Sequence, residues 1–153
     1  MPITRETRDP ADPFNLRRFI IAQEPVYSAV RDELRGGRKR THWMWFIFPQ
    51  IDGLGFSSTS RLYAIKTKAE AQQYLQHPTL GARLVECAEI VLRVQGKSAL
   101  AIFGSPDDLK LRSSMTLFAA VSEPGSVFER VLDQYFRGQR DAKTLALLEQ
   151  QAP

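Results

Sequence analysis

The sequence is poor in residues that bind metals or form crosslinks: its 153 residues include one cysteine, Cys87, and two histidines, His42 and His77. A single cysteine excludes an internal disulfide and any site built from several thiolates. No group of His, Cys, Asp and Glu has the spacing of metal ligands, so we expect no metal, and no motif predicts a cofactor. Cys87 falls on the apolar side of a predicted helix, which favours a small buried hydrophobe over a reactive thiol.

Long apolar segments are also missing. The longest strongly apolar run, residues 43–48, has six residues, whereas a membrane-spanning helix needs about 20. The first residues alternate charges and prolines and lack the apolar core of a signal peptide. We therefore expect a flexible leader at 1–11, a single domain at 12–153, no membrane association and a cytoplasmic location.

Recognisable catalytic motifs are absent as well. The sequence has no G-x-S-x-G elbow, no Walker lysine and no dinucleotide fingerprint, and Cys87 has no evident partner histidine. No reaction class follows from motifs, so the sequence leaves open whether the protein is an enzyme.

Helical periodicity dominates what is present. Residues 80, 84, 87, 91 and 94 form a continuous apolar stripe, which predicts a long helix from Pro78 to about Gln95. Thr67 and Asp141 are predicted to cap helices, and Ser105-Pro106 followed by two aspartates is typical of a helix start. Since no segment shows sustained two-residue alternation, we predict an all-α, compact single-domain array of about eight short-to-medium helices.

Residues 42–60, HWMWFIFPQIDGLGFSSTS, form the most distinctive stretch. Its aromatic run suits a buried helix or a buried strand, and we favour a helix ended by Pro49. Glycines followed by serines at a helix start can bind an anion, because free backbone N–H groups and the helix dipole favour negative charge. The alternative is that the glycines end the aromatic segment and the serines simply cap the next helix.

Aromatic residues beside His42 suggest a pocket wall. Tryptophan faces stack on bases and cations, and a histidine titrates near neutral pH, so His42, Trp43 and Trp45 could line a nucleotide pocket. Aromatic residues at this density are more often core, and we expect at least one tryptophan to be buried.

The predicted helix after Pro106 carries an unusual number of polar residues. Lys110, Ser113 and Ser114 share one face, although serine is a poor choice for a helix interior unless it contacts a ligand or permits close packing. Asp107 and Asp108 suit the positive end of the helix dipole, and either is also a candidate for acid or base chemistry if desolvated.

Together these features predict a pocket that binds a small anionic, nucleotide-like ligand. If the ligand is converted, transfer or hydrolysis at a phosphate or glycosidic bond is the reaction class we favour, with His42, Asp107 or Asp108 as the proton-transfer group. The predicted ligand-binding residues are Lys39, His42, Trp43, Trp45, Gly53, Gly55, Ser57, Ser58, Ser60, Lys110, Ser113 and Ser114.

An alternative function rests on the basic triplet Arg38, Lys39 and Arg40. The net charge is only +4 and most basic residues are interleaved with acids, but three adjacent cations next to aromatics can hold a phosphate backbone. This pattern predicts an RNA- or protein-binding module without catalysis.

Four segments carry a resemblance to a known family: DPFNLRRFIIAQ at 12–23, GRKRTHWMWFIFPQIDGLGFSSTSRLYAI at 37–65, YLQHPTLGARL at 74–84 and IFGSPDDLKLRSSMTLF at 102–118. Over residues 12–148 the chain resembles the bacterial family catalogued as domain of unknown function 1810, often labelled calpastatin automatically. The resemblance implies a compact, mainly helical bacterial domain and no established reaction or catalytic residue. The calpastatin label does not fit, because that inhibitor is disordered and this composition forms a core.

Overall fold

The computed structural model describes residues 9–151, which form ten helices and an isolated parallel bridge between Ile51 and Ile65. The all-α prediction is confirmed, with ten helices rather than about eight, because three are short segments of four or five residues that apolar periodicity resolves poorly. Residues 1–8 of the predicted leader lie outside the described residues. The helices are α1 (Arg17–Gln23), α2 (Tyr27–Arg35), α3 (Met44–Ile47), α4 (Ser58–Leu62), α5 (Lys68–Gln76), α6 (Leu80–Arg93), α7 (Ala99–Phe103), α8 (Asp107–Ala120), α9 (Val127–Phe136) and α10 (Ala142–Gln150).

Helix α8 occupies the centre of the fold. It packs against α5, α7, α9 and α10, and every residue from 113 to 119 is buried. A helix buried on all sides cannot show a strongly polar face, which explains why its sequence has no clean amphipathic stripe. None of the helices between residues 9 and 151 has the length and apolar character that a bilayer crossing requires.

Most polar side chains inside α8 bond to nearby backbone. Ser113 Oγ donates to the carbonyl of Leu109 at 3.2 Å, and Thr116 Oγ1 donates to the carbonyl of Arg112 at 2.8 Å. Thr116 Oγ1 also accepts from the N–H of Asp141 at 2.9 Å, which holds the start of α10. Buried hydroxyl groups need such partners to avoid a desolvation penalty, so Thr116 has a structural role.

Two of the predicted caps are present and one helix start differs. The side chains of Thr67 and Asp141 accept hydrogen bonds from the first turns of α5 and α10. Ser105 caps nothing, because α8 begins only at Asp107 and Pro106 takes the preceding position.

A buried ion pair joins α1 to α5. Arg18 Nη2 lies 2.7 Å from Glu70 Oε2, and the Glu70 side chain is only 2% exposed. Arg18 also donates to the carbonyls of Leu62 and Ala64, at 2.8 and 2.9 Å, and Glu70 Oε1 accepts from the N–H of Lys66. The pair therefore fixes residues 62–66, which close the loop carrying the predicted glycine and serine site residues.

Close packing of α5 on α6 depends on Gly81. A Cβ at this position would lie 2.0 Å from the carbonyl oxygen of Leu75 and 2.8 Å from its carbonyl carbon. We expect Gly81→Ala to lower the free energy of unfolding by at least about 2 kcal/mol, because backbone must move to relieve the overlap. Urea denaturation measures the change.

Gly36→Ala is the matched control for this prediction. A Cβ there would lie 3.4 Å from the carbonyl oxygen of Asp32, an ordinary contact distance, and φ is −74°, so stability should stay unchanged or rise slightly. Equal destabilisation by the two variants would contradict the packing explanation.

Candidate functional site

Residues 38–40 lie between the end of α2 and α3, outside any helix. The N–H of Lys39 donates to the carbonyl of Ile102 in α7 at 2.7 Å, which fixes the segment to the core. Burial alternates along the segment: only 6% of the Lys39 side chain is exposed, while Arg38 and Arg40 are exposed.

Glu33 on α2 holds the residues that follow. Its carboxylate accepts hydrogen bonds from the N–H groups of Arg40 and Thr41, from Thr41 Oγ1 and from Trp43 Nε1, at 2.7 to 3.0 Å. Partial desolvation alone would raise the pKa of Glu33, but the bonds from Thr41, Arg40 and Trp43 outweigh it and lower the pKa to about 2. Glu33 therefore acts as a charged anchor for the 40–43 backbone.

Asp107, the first residue of α8, lies between two lysines. Its Oδ2 atom is 2.9 Å from Lys39 Nζ and its Oδ1 atom is 3.5 Å from Lys110 Nζ. Each ammonium group also sits 5.0 Å from a tryptophan ring centroid, Lys39 over Trp43 and Lys110 over Trp45. The site thus has two cations, one shared carboxylate and two indole faces.

The two tryptophans have different environments. Trp43 is buried, its N–H is bonded to Glu33, and its ring packs against Phe48 and Phe103. Trp45 is half-buried and its Nε1 atom has no hydrogen-bond partner among the described residues. As expected, one tryptophan belongs to the core, whereas Trp45 remains partly exposed.

Trp45 also reaches the loop after α3. It lines a crevice of about 10 Å³ together with Gly53, Gly55 and Ser60, room for about one water molecule. A Cβ on Gly55 would lie 2.6 Å from Ser60 Oγ. A side chain at position 55 would therefore overlap Ser60, and glycine allows the close approach of Ser60 to the backbone in this crevice.

The serines of this loop mostly satisfy one another. Ser57 Oγ accepts from the N–H of Ser60 at 3.0 Å and donates to Ser60 Oγ at 2.8 Å. Helix α4 has only five residues, so its dipole is small. Ser57 and Ser60 thus form a local cap, which is the alternative that the sequence left open.

Within residues 9–151, two unpaired buried polar atoms lie on α8, and a third lies on Trp45, which contacts Lys110 of that helix. Buried side-chain atoms without a partner among the described residues include Trp45 Nε1, Asp108 Oδ1 and Ser114 Oγ. Such atoms are rare in folded proteins and call for an explanation. Ser114 is one helical turn beyond Lys110 on the same helix, so its hydroxyl lies behind the cluster.

The structure brings part of the predicted site together. Lys39, Trp43, Trp45, Lys110 and Asp107 form one contact cluster, which we call the lysine–tryptophan cluster, and Trp45 connects it to Gly53, Gly55 and Ser60. Other predicted residues have different surroundings: His42, Ser57 and Ser58 are exposed, and Ser113 bonds within its own helix.

Glu33 is the main residue of this region that sequence reasoning missed. A signal was available, because an acid in the last turn of α2 opposes the helix dipole and therefore suggests another role. Its partners lie seven to ten residues further along the chain, a distance that no helical period reveals.

Cys87 shows no sign of reactivity. The thiol is buried beside Tyr27, and desolvation raises its pKa to about 12, so the thiolate needed for nucleophilic chemistry does not form near neutral pH. Within residues 9–151, no three His, Cys, Asp or Glu side chains are grouped so as to hold a metal ion.

The lowered pKa of Glu33 predicts a pH dependence. Because its folded-state pKa is about 2 against an ordinary value of 4.5, Glu33 stabilises the fold above about pH 4.5 and this stabilisation is lost as pH falls toward 2. We expect Glu33→Gln to lower the free energy of unfolding by about 1–2 kcal/mol at pH 7, since the carboxylate is half-buried. The variant should also show a smaller loss of stability between pH 5 and pH 2 than the wild type. Chemical denaturation across this pH range measures both effects.

Glu123→Gln provides the control, because it removes the same charge from an exposed residue. If the two variants show the same stability and pH profile, Glu33 is not an anchor.

Comparison with known proteins gives a consistent assignment. Residues 13–148 match the family model described as protein of unknown function (DUF1810). The crystal structure of a conserved hypothetical protein from Mycobacterium tuberculosis is 55% identical, with a TM-score of 0.89, and the match covers 90% of this chain and 99% of that one. None of the curated proteins compared with the chain matches it. Since the family match spans most of the sequence, the resemblance read from the motifs is confirmed, and the chain belongs to the DUF1810 family.

Proposed function

We propose that the chain binds a small anionic, nucleotide-like ligand at the lysine–tryptophan cluster. One observation carries this proposal: two lysines share the carboxylate of Asp107 beside Trp45, whose indole N–H has no partner among the described residues. Cations, an aromatic face and a free donor are the groups that recognise a phosphate joined to a heterocycle.

The two lysines are suited to different tasks. Lys39 is 6% exposed and lies 2.9 Å from Asp107, whereas Lys110 is 24% exposed and lies 3.5 Å from it. Lys110 can turn toward an incoming anion at small cost, since its contact with Asp107 is longer and partly solvated. Lys39 then keeps Asp107 paired, so no carboxylate is left uncompensated while a phosphate binds.

Trp45 gives the cluster its preference for a heterocyclic ligand. Its ring faces Lys110, so a base stacked on that face would lie beside the cation that holds the phosphate. The crevice shared with Gly53, Gly55 and Ser60 adjoins the same ring, and small residues leave backbone open to close approach.

Two wider grooves support a small-molecule site less well. One, of about 660 Å³, is lined by residues of α6 and α9, and the other, of about 470 Å³, includes Phe14, Arg61 and Lys66. Neither lining includes a buried side-chain atom that lacks a hydrogen-bond partner. Unsatisfied polar atoms point to a ligand more specifically than volume does.

If the ligand is converted, we propose transfer or hydrolysis at its phosphate or glycosidic bond. The proton-transfer candidates here are Asp107, which belongs to the cluster, and Asp108, the next residue of α8. Asp108 Oδ1 is buried without a partner among the described residues. His42 is exposed, so it would act only from the rim of the site.

A thermal-shift screen with nucleoside mono- and diphosphates and ADP-ribose tests the binding proposal. We expect at least one compound to raise the melting temperature of the wild type through preferential binding to the folded state. Lys110→Gln should lower the affinity for that compound by about tenfold or more, which corresponds to the loss of one charge-assisted hydrogen bond. Trp45→Ala should lower the affinity for nucleotides more than the affinity for inorganic phosphate.

Control variants separate the cluster from its surroundings. Lys143→Gln removes an exposed lysine on α10 and should leave binding unchanged, while Ser60→Ala and His42→Ala report on the loop and the rim. The proposal fails if no compound stabilises the wild type, or if Lys110→Gln and Lys143→Gln behave alike.

A further inference from the structure

The basic triplet serves two different surfaces. Lys39 is buried against Asp107, whereas Arg38 and Arg40 on either side of it are exposed to solvent. Both arginines are exposed, and no ion pair involves either side chain among the described residues. The proposed ligand site thus uses only the middle residue of the triplet.

A second segment adds charge to the exposed side. Lys97 follows α6 and its Nζ atom donates to the carbonyl of Gly37 at 3.0 Å, so this ammonium group lies on the turn that precedes Arg38. Arg35 ends α2 just before the same turn and is exposed. Arg35, Arg38, Arg40 and Lys97 define what we call the basic face.

Acidic residues are scarce on the basic face. Residues 35–41 and 94–98 contain no Asp or Glu. Two acids on α2 lie nearby: Asp32 makes a long contact with Arg35, 3.9 Å between exposed side chains, and the charged carboxylate of Glu33 is bound by four N–H and O–H groups of residues 40–43. The sequence has 21 Lys and Arg and 17 Asp and Glu. Without the four cations of the basic face, the remaining 17 basic residues would balance the 17 acidic residues, so the charge of this face is equal to the net charge of +4.

Exposed glycines lie beside these cations. Gly36 and Gly96 are exposed, and nothing approaches within 4 Å of a Cβ built on Gly96. Guanidinium groups next to exposed residues without side chains let a phosphate chain approach closely. Neither segment contains an aromatic residue, so the face offers no platform for base stacking.

From this arrangement we infer that the basic face binds the phosphate backbone of double-stranded nucleic acid, without base preference. Exposed cations with few acids beside them can contact the phosphates of a duplex, and the missing aromatics disfavour recognition of unstacked single strands. The inference is independent of the proposed small-molecule site, because Asp107 pairs with Lys39 and Lys110 and with neither arginine.

Fluorescence anisotropy with a labelled 20-base-pair RNA duplex, repeated with a DNA duplex, tests the inference from 50 to 200 mM salt. Three or four phosphate contacts should give a slope of log affinity against log salt of about −3, with micromolar or weaker binding at the highest salt. Arg38→Ala/Arg40→Ala should weaken binding at least about tenfold at 50 mM and make the slope less negative by about 2. Their backbone N–H contacts remain, so the melting temperature should not change.

The matched control is Arg17→Ala/Lys68→Ala, which removes two exposed cations from α1 and α5. This variant should bind as the wild type does. The inference is overturned if the wild type does not bind duplexes, if binding is insensitive to salt, if both double variants lose the same affinity, or if anionic vesicles are bound and duplexes are not. Equal affinity for RNA and DNA duplexes supports backbone recognition.

Discussion

Burial of α8 on every side is the constraint on which the rest of the structure depends. Residues 113–119 are all buried, so other helices must surround them, and the polar side chains among them must bond locally or remain unpaired. The start of α8, residues 107–110, is partly exposed. For this reason Asp107 and Lys110 project where residues from elsewhere in the chain can meet them, and the candidate site forms at the end of the central helix.

Local sequence patterns predicted the helices and their caps better than the contacts between helices. Thr67 and Asp141 were identified as caps because a cap bonds within three residues, and both bonds are present. Glu70 lies three residues after Thr67, the spacing of a capping box, but its side chain bonds the N–H of Lys66 and pairs with Arg18. A carboxylate with an arginine available in the fold gains more from that charged partner than from a second capping bond, and the partner lies 52 residues away.

The candidate site shows the same limit. Lys39, Trp43 and Trp45 are close in sequence, so their association was predictable, and Lys110 was marked by the polar residues of its helix. Asp107 connects Lys39 to Lys110 because α7 and α8 pack beside residues 38–40. No periodicity in the sequence encodes this packing. The role of the serine loop could not be predicted from sequence, because a glycine-serine pattern looks the same whether it binds an anion or caps a short helix.

The alternation of Arg38, Lys39 and Arg40 changes how the basic triplet should be interpreted. A cluster of three like charges suggests one surface, yet the fold separates it into one buried cation and two exposed ones. Replacing all three residues together would remove the shorter of the two lysine contacts of Asp107 along with two surface charges, and weakening the pairing of this largely buried carboxylate destabilises the fold by itself. Loss of binding in such a variant would therefore not identify a polyanion surface. Only substitutions that spare Lys39 can distinguish the exterior of this segment from its interior.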